Sequence, residues 1–238
     1  LDIAGGDGDQ AAGPLVAQGL PEADGGPVVP LGGAELPLGQ GRQAGEAVVA
    51  GPDRAIQTLT NAPVNHVGMA VVLDDLPPLM WHAELGSSLL DHWTGDHHRG
   101  VQLHDLRAAV VRWQEVYTQS AWLRQLTPEV GRSEEDAVLR SVARLDGVSF
   151  PSTVRLAGRW LRGRDSYVAR RDRDRPRPRP EEAYCAEVVA LTLQEMGLLG
   201  SERRASWYDP GTFWSGEYLP LAGGWSYGLE VPVRQEAV

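Results

Sequence analysis

Cys185 is the only cysteine among 238 residues, and a cysteine held beside a base can attack a carbonyl carbon. The thiolate is the reactive form, favoured at the first turn of a helix, where unpaired backbone N–H groups and the helix dipole stabilise negative charge. A free cysteine is more commonly a small buried hydrophobe. Its neighbours therefore decide the matter. Glu181, Glu182 and Glu187 lie close by in sequence and oppose a thiolate, so a cationic or basic partner is required. Of the six histidines, His66 is the candidate base, because it opens an apolar stretch of strand character. His82 and Glu84 follow two residues apart and share one strand face. Either could hold the far nitrogen of His66 and so fix its tautomer and orientation. A simple hairpin between them favours Glu84, a bulge or longer loop His82, and the pattern leaves that choice open.

A second donor cluster is His92, Asp96, His97, His98 and His104, all within one short polar stretch. These residue types bind metal ions, but adjacent His97 and His98 lack the fixed spacing of a zinc site. No metal or cofactor is expected. The metal reading of the 92–104 loop stands as an alternative, as does a non-catalytic binding module built on the aromatic C-terminal part. There Trp207, Tyr208, Phe213, Trp214, Tyr218, Trp225 and Tyr227 either line a groove or pack the core, and core packing is the commoner role.

Around these groups the local code sets out the elements. Val64–Val72 is apolar on both parities after the histidine, as in a strand buried on both faces. Asp74-Asp75-Leu76-Pro77-Pro78 is turn chemistry, and Leu79 to Glu84 reads as the returning strand. Gly100-Val101-Gln102-Leu103 is a further short strand. A helix then starts at Asp105, with Val110, Val111, Trp113, Tyr117 and Trp122 on its apolar side. Ser133 caps a second helix running to about Leu145. Pro180 in the first turn, with Glu181 and Glu182 at the positive end, opens a third helix. It carries Cys185 and stops at Gly197-Leu198. A final strand spans Tyr227 to Val233.

Composition bounds the rest. Residues 1–50 hold 12 glycines, no aromatic residue and one basic residue, Arg42, which reads as a disordered tail preceding a domain over 56–238. Between 159 and 180 nine arginines and alternating prolines predict an extended surface loop. All 22 basic residues are arginine, so lysine Schiff-base chemistry is excluded. A net charge of −10 argues against nucleic acid as a partner. The chain has no apolar run of membrane-spanning length and no export-signal pattern, so integral membrane association is not expected and a cytoplasmic location is.

At Asn65-His66-Val67-Gly68-Met69 and Tyr184-Cys185-Ala186-Glu187-Val188-Val189-Ala190 the chain resembles the circularly permuted branch of the NlpC-type papain-like amidases, whose relatives include the lecithin retinol acyltransferase group. The histidine strand precedes the cysteine by 119 residues, the inverse of the ordinary papain-like order. The resemblance covers roughly 56–233 and departs from the family at the N-terminus, where no Gly-Asp strand start is found. It implies an α+β, permuted papain-like (NlpC-type) fold, with an antiparallel sheet packed against the cysteine helix. It also implies attack by Cys185 on an amide or ester of a peptide-like or lipid-like substrate, with His66 as base. Its third polar residue carries over best to His82 in Trp81-His82-Ala83, with Glu84 second. The Cys185 backbone N–H is the expected oxyanion donor, and Tyr184, Trp81 and Asn65, flanking the pair, are the expected substrate contacts.

Overall fold

The computed structural model describes residues 13–18, 29–31, 64–73, 76–152, 179–214 and 219–235. The sheet consists of β1 (Gly13–Gln18), β2 (Val29–Leu31), β3 (Val64–Val71), β4 (Leu79–Glu84), β5 (Gly100–Asp105), β6 (Ser120–Thr127) and β7 (Ser226–Gln235), of which β3, β4 and β5 are buried on both faces. Their spatial order is β2-β7-β6-β1-β3-β4-β5, antiparallel throughout except for the β2–β7 pair. With helices α1 (Leu106–Glu115), α2 (Arg132–Leu145) and α3 (Cys185–Glu195), the architecture is α+β.

Alternation along the strands divides the core into two layers. Val67, Met69, Val71, Trp81, Ala83, Val101 and Leu103 pack with α2 and α3. Ala70, Met80, Ala121 and Leu123 pack with Leu106, Val110 and Trp113 of α1 on the other side. Every residue of α3 from Cys185 to Leu193 is buried, so this helix is an interior one, without a solvent-facing stripe.

Several local expectations meet tertiary facts here. Asp105 caps α1 by accepting from the Ala108 N–H at 2.8 Å, as its position predicts. That helix ends at Glu115, however. Thr118 takes a positive φ of 53°, which breaks the helix, and Trp122 belongs to β6 rather than to the helical face. The second helix begins one residue before Ser133, with Gly131 as its N-cap. The third begins at Cys185, not at Pro180. Ala183 donates to the Ser149 carbonyl at 2.9 Å and Glu182 bridges Ser149, holding the approach extended. Glu181 and Glu182 consequently lie outside the helix, and Cys185 occupies its first position. The stop at Gly197 stands, with φ 76° and the Leu198 N–H bonded to the Leu193 carbonyl at 2.9 Å.

Two strands arise within the glycine-rich segment 1–50 that composition assigned to a tail. β1 lies between β3 and β6, in register Val16↔Val67 and Val16↔Trp122. Neighbouring ladders supply on both sides the backbone partners that its composition cannot announce. The arginine- and proline-rich loop lies outside the described residues, save Arg179 and Pro180; Arg179 donates to the Asp146 carbonyl at 2.6 Å. No helix among the described residues is long and apolar enough to cross a membrane.

Gly100 begins β5 with φ 102°, and a Cβ there would run into the Val148 carbonyl. Gly100→Ala is expected to cost on the order of 2–3 kcal/mol, read as a lower urea midpoint; an unchanged midpoint would contradict this account of the turn.

Candidate active site

The ladder between β3 and β4 runs over Met69–Val71 paired with Leu79–Trp81. It does not reach His66 and Val67, so the strands part at the level where α3 begins. Burial raises the Cys185 thiol to about 11, opposed by the backbone N–H groups of Val67, of Ala186 and of Cys185 itself, which lie against the sulfur. The sulfur thus meets β3 one residue from His66. Cys185 packs with the α2/α3 layer, whereas the His66 ring stands edge-on to Trp113 of the opposite layer, 4.8 Å between centroids. Among the described residues, no hydrogen bond joins the sulfur to the imidazole.

His66 heads a line of polar groups. Its Nε2 lies 3.0 Å from His82 Nδ1, His82 Nε2 lies 2.9 Å from His104 Nδ1, and His104 Nε2 lies 2.9 Å from Gln102 Oε1. The line crosses from β3 through β4 to β5, with His82, His104 and Gln102 all buried. Gly68 makes the first step possible. A Cβ at that position would come within 2.5 Å of Met80 Sδ and 3.2 Å of His82 Cβ, so its absence lets His82 lie over β3 and reach diagonally to His66.

Of the two orienting candidates, it is therefore His82 that meets His66. Glu84 stands 3.9 Å from His82 Nε2 and is engaged elsewhere, accepting from the Tyr117 hydroxyl at 2.8 Å with Arg112 3.7 Å away. Two of the expected substrate contacts are structural. Trp81 is wholly buried and donates to Thr192 Oγ1 of α3 at 3.0 Å. Tyr184 is buried with its hydroxyl between the Ser206 and Tyr208 carbonyls, at 2.8 and 2.6 Å. Both sit in the α2/α3 layer because apolar bulk beside the cysteine helix fills the core. Asn65 is also buried, and its Oδ1 has no hydrogen-bond partner among the described residues, unusual for an interior amide.

His104 and Gln102 were not paired with His66 from sequence, although the signal existed. Two polar residues at period two on an apolar strand, repeating the His82/Glu84 spacing of the strand before, mark a continued polar face.

The electrostatics follow from burial. His66 is brought down to about 4 by desolvation. His104 also falls to about 4, desolvation outweighing the raising effect of Asp91. Desolvation and the two flanking rings put His82 well below the ordinary histidine value. With the thiol raised, the resting pair at neutral pH is a neutral thiol and a neutral imidazole rather than the thiolate–imidazolium pair expected from sequence. Removal from water disfavours both charges.

Among the described residues, two groups have donor atoms converging within 4.8 Å: His82, Glu84 and His104, and Asp91, His98 and Asp146. In the first, the His82 and His104 nitrogens already share a proton. In the second, Asp91 Oδ2 accepts from the Thr94 N–H and hydroxyl at 2.8 and 2.6 Å, with His98 3.3 Å away. His92, Asp96 and His97, part of the alternative metal reading of the 92–104 loop, join neither group. The C-terminal aromatics mostly pack. Phe213 and Tyr208 are buried, and Trp207, Trp214, Trp225 and Tyr227 lie against the core, while Tyr218 falls outside the described residues.

Comparison with protein-family models, curated proteins and solved structures returned no match.

The histidine line sets a pH dependence of stability. A base whose folded pKa is depressed binds its proton more readily when unfolded, so its contribution is complete above about 6.5 and declines as pH falls toward 4. Asp146, raised to about 6 by burial and by Asp91, acts in the opposite sense, one group against three. Between pH 7.5 and 4.5 the urea midpoint is expected to fall; a flat or rising midpoint would show that the three rings are not buried neutral. At the alkaline end, stability should decline between about pH 9 and 11 as Cys185 ionises more readily in the unfolded chain.

Proposed function

We propose that the chain is a cysteine-nucleophile hydrolase or acyltransferase of the permuted papain-like (NlpC-type) kind, acting on an amide or ester bond through an acyl-enzyme thioester. The observation that carries the reading is the position of Cys185. It is the first residue of α3, with its sulfur against the Val67 N–H, next in the chain to a histidine whose far nitrogen is held by a second histidine. The order His66, His82, Cys185 agrees with the permuted resemblance.

In this mechanism the imidazole of His66, which rests against Trp113 of the opposite layer, must swing within reach of the sulfur, and the thiol proton passes to His66 Nδ1 as the sulfur attacks the carbonyl carbon. The tetrahedral oxyanion is met by the Cys185 N–H, which as the first helical amide has no partner in the helical ladder. Collapse breaks the bond to the leaving amine or alcohol, which departs with the proton from His66. Water or another acyl acceptor then gives a proton to His66 and attacks the thioester, and as the carbon–sulfur bond breaks His66 returns that proton to the departing sulfur, restoring the thiol. Because the base rests neutral, it needs no activation at pH 7, and the cost of charge separation falls within the reaction step.

A binding module of the same fold would keep this framework with an inert thiol. An electrophilic acyl probe separates the two readings. Cys185→Ala is expected to abolish labelling, and His66→Ala to slow it by about 100-fold or more, the usual worth of a positioned base, with circular dichroism confirming that each variant folds. The acid limb of the labelling rate should lie near pH 4, the value to which burial lowers His66, rather than near 6.5. Equal labelling in His66→Ala would reject the pair.

A further inference from the structure

We infer that Gln102 sets the position of every proton along the histidine line, so that His66 is held in the one tautomer that leaves Nδ1 free to act as a base. This rests on the reading of His66 as the base for Cys185. It adds two positioning residues, Gln102 and His104, neither of which touches the reacting atoms.

The side-chain amide of Gln102 is buried and can face only one way. Its Nε2 lies 3.2 Å from the Gly86 carbonyl and 3.3 Å from the Gly100 carbonyl. Carbonyl oxygens only accept, so the NH2 group must point there and Oε1 must point at His104. Turned over, the amide would set its oxygen against two carbonyl oxygens and leave buried acceptors unsatisfied. Oε1 also only accepts, and it lies 2.9 Å from His104 Nε2, so that nitrogen carries the proton. A neutral imidazole has one N–H, which makes His104 Nδ1 an acceptor. His82 Nε2, 2.9 Å away, is then the donor, and His82 Nδ1 the acceptor. His66 Nε2, at 3.0 Å, donates to it in turn. The remaining nitrogen, His66 Nδ1, is left with a lone pair.

Among the described residues, no other donor or acceptor of the site disturbs this order. Glu84 is 3.9 Å from His82 Nε2, beyond hydrogen-bonding distance, and takes the Tyr117 hydroxyl instead. Burial keeps all three rings neutral, so the one-proton count holds. The carbonyls of Gly86 and Gly100 thus anchor a series of five hydrogen bonds, two from the Gln102 amide and three along the histidine line, whose direction is decided two strands away from His66. A fixed tautomer matters because a ring carrying its proton on the wrong nitrogen cannot accept one from the thiol.

The test is a long-range proton–nitrogen correlation spectrum of the full chain labelled with nitrogen-15 in histidine, at pH 7.5, with rings assigned through single substitutions such as His66→Gln. The native chain is expected to show protonated Nε2 and pyridine-type Nδ1 on His66, His82 and His104. In Gln102→Leu the His66 Nδ1 signal should move toward the pyrrole-type position as the other tautomer becomes populated. A protonated Nδ1 on His104 or His66 in the native chain overturns the inference, even if no variant folds, and so does an unchanged His66 spectrum in a folded Gln102→Leu. These spectra read protons whether or not Cys185 reacts. The native pattern together with equal probe labelling of His66→Ala would therefore overturn the catalytic reading while leaving the tautomer assignment standing.

Discussion

Three imidazole rings can be placed inside a protein only if their nitrogens find partners there, and the structure around β3, β4 and β5 answers that demand. Each ring uses one nitrogen to donate and one to accept, except the first, which keeps one in reserve. The arrangement needs rings at matching heights on three adjacent strands, a glycine opposite the middle ring, and an acceptor that closes the far end. Gly68, Gln102 and the carbonyls of Gly86 and Gly100 meet these needs. The edge-on packing of Trp113 against His66 and His82 covers the line from the α1 side. A single strand slip would put these rings on the other face of the sheet. Strand register and histidine chemistry are here one constraint.

The same constraint explains the resting charge state. Charged imidazole beside charged imidazole in a dry layer is prohibitively costly, so the line stays neutral. A neutral base next to a buried neutral thiol is a different starting point from a preformed ion pair. In the proposed mechanism the cost of separating charge is deferred until a substrate carbonyl is present to receive the sulfur, when the amides at the start of α3 would stabilise the developing negative charge. That helix is buried from Cys185 to Leu193, so its first residue is fixed by packing around the helix and not by a surface stripe.

Much of the framework was legible from local chemistry. The Asp105 cap, the helix ending at Leu145, the stop at Gly197 and the paired strands around Pro77-Pro78 are written in residues that act on their own backbone or within a few positions of it. Trp122 and the start of α3 were misread for a common reason. An apolar residue continues a helical stripe or begins a strand with equal ease, and a proline followed by glutamates opens a helix unless something else claims the segment. Thr118 and the Ser149 backbone supply what decided those cases. β1 was illegible, because a glycine-rich segment shows no strand signal until two neighbouring ladders take up its hydrogen bonds.

The site divides in the same way. Sequence alone determined which residues can do chemistry, a single thiol and a histidine at the head of an apolar strand, and by period two that His82 and Glu84 share a face. Only the tertiary structure decided between those two, because the answer depends on where the β3–β4 ladder ends and on the space over Gly68. It also brought in His104 and Gln102, whose shared face period two marks but whose distance from His66 is set by the pairing of β4 with β5. Residue type fixes what a side chain can donate or accept; which partner receives it is settled by register across strands, a property of the folded sheet.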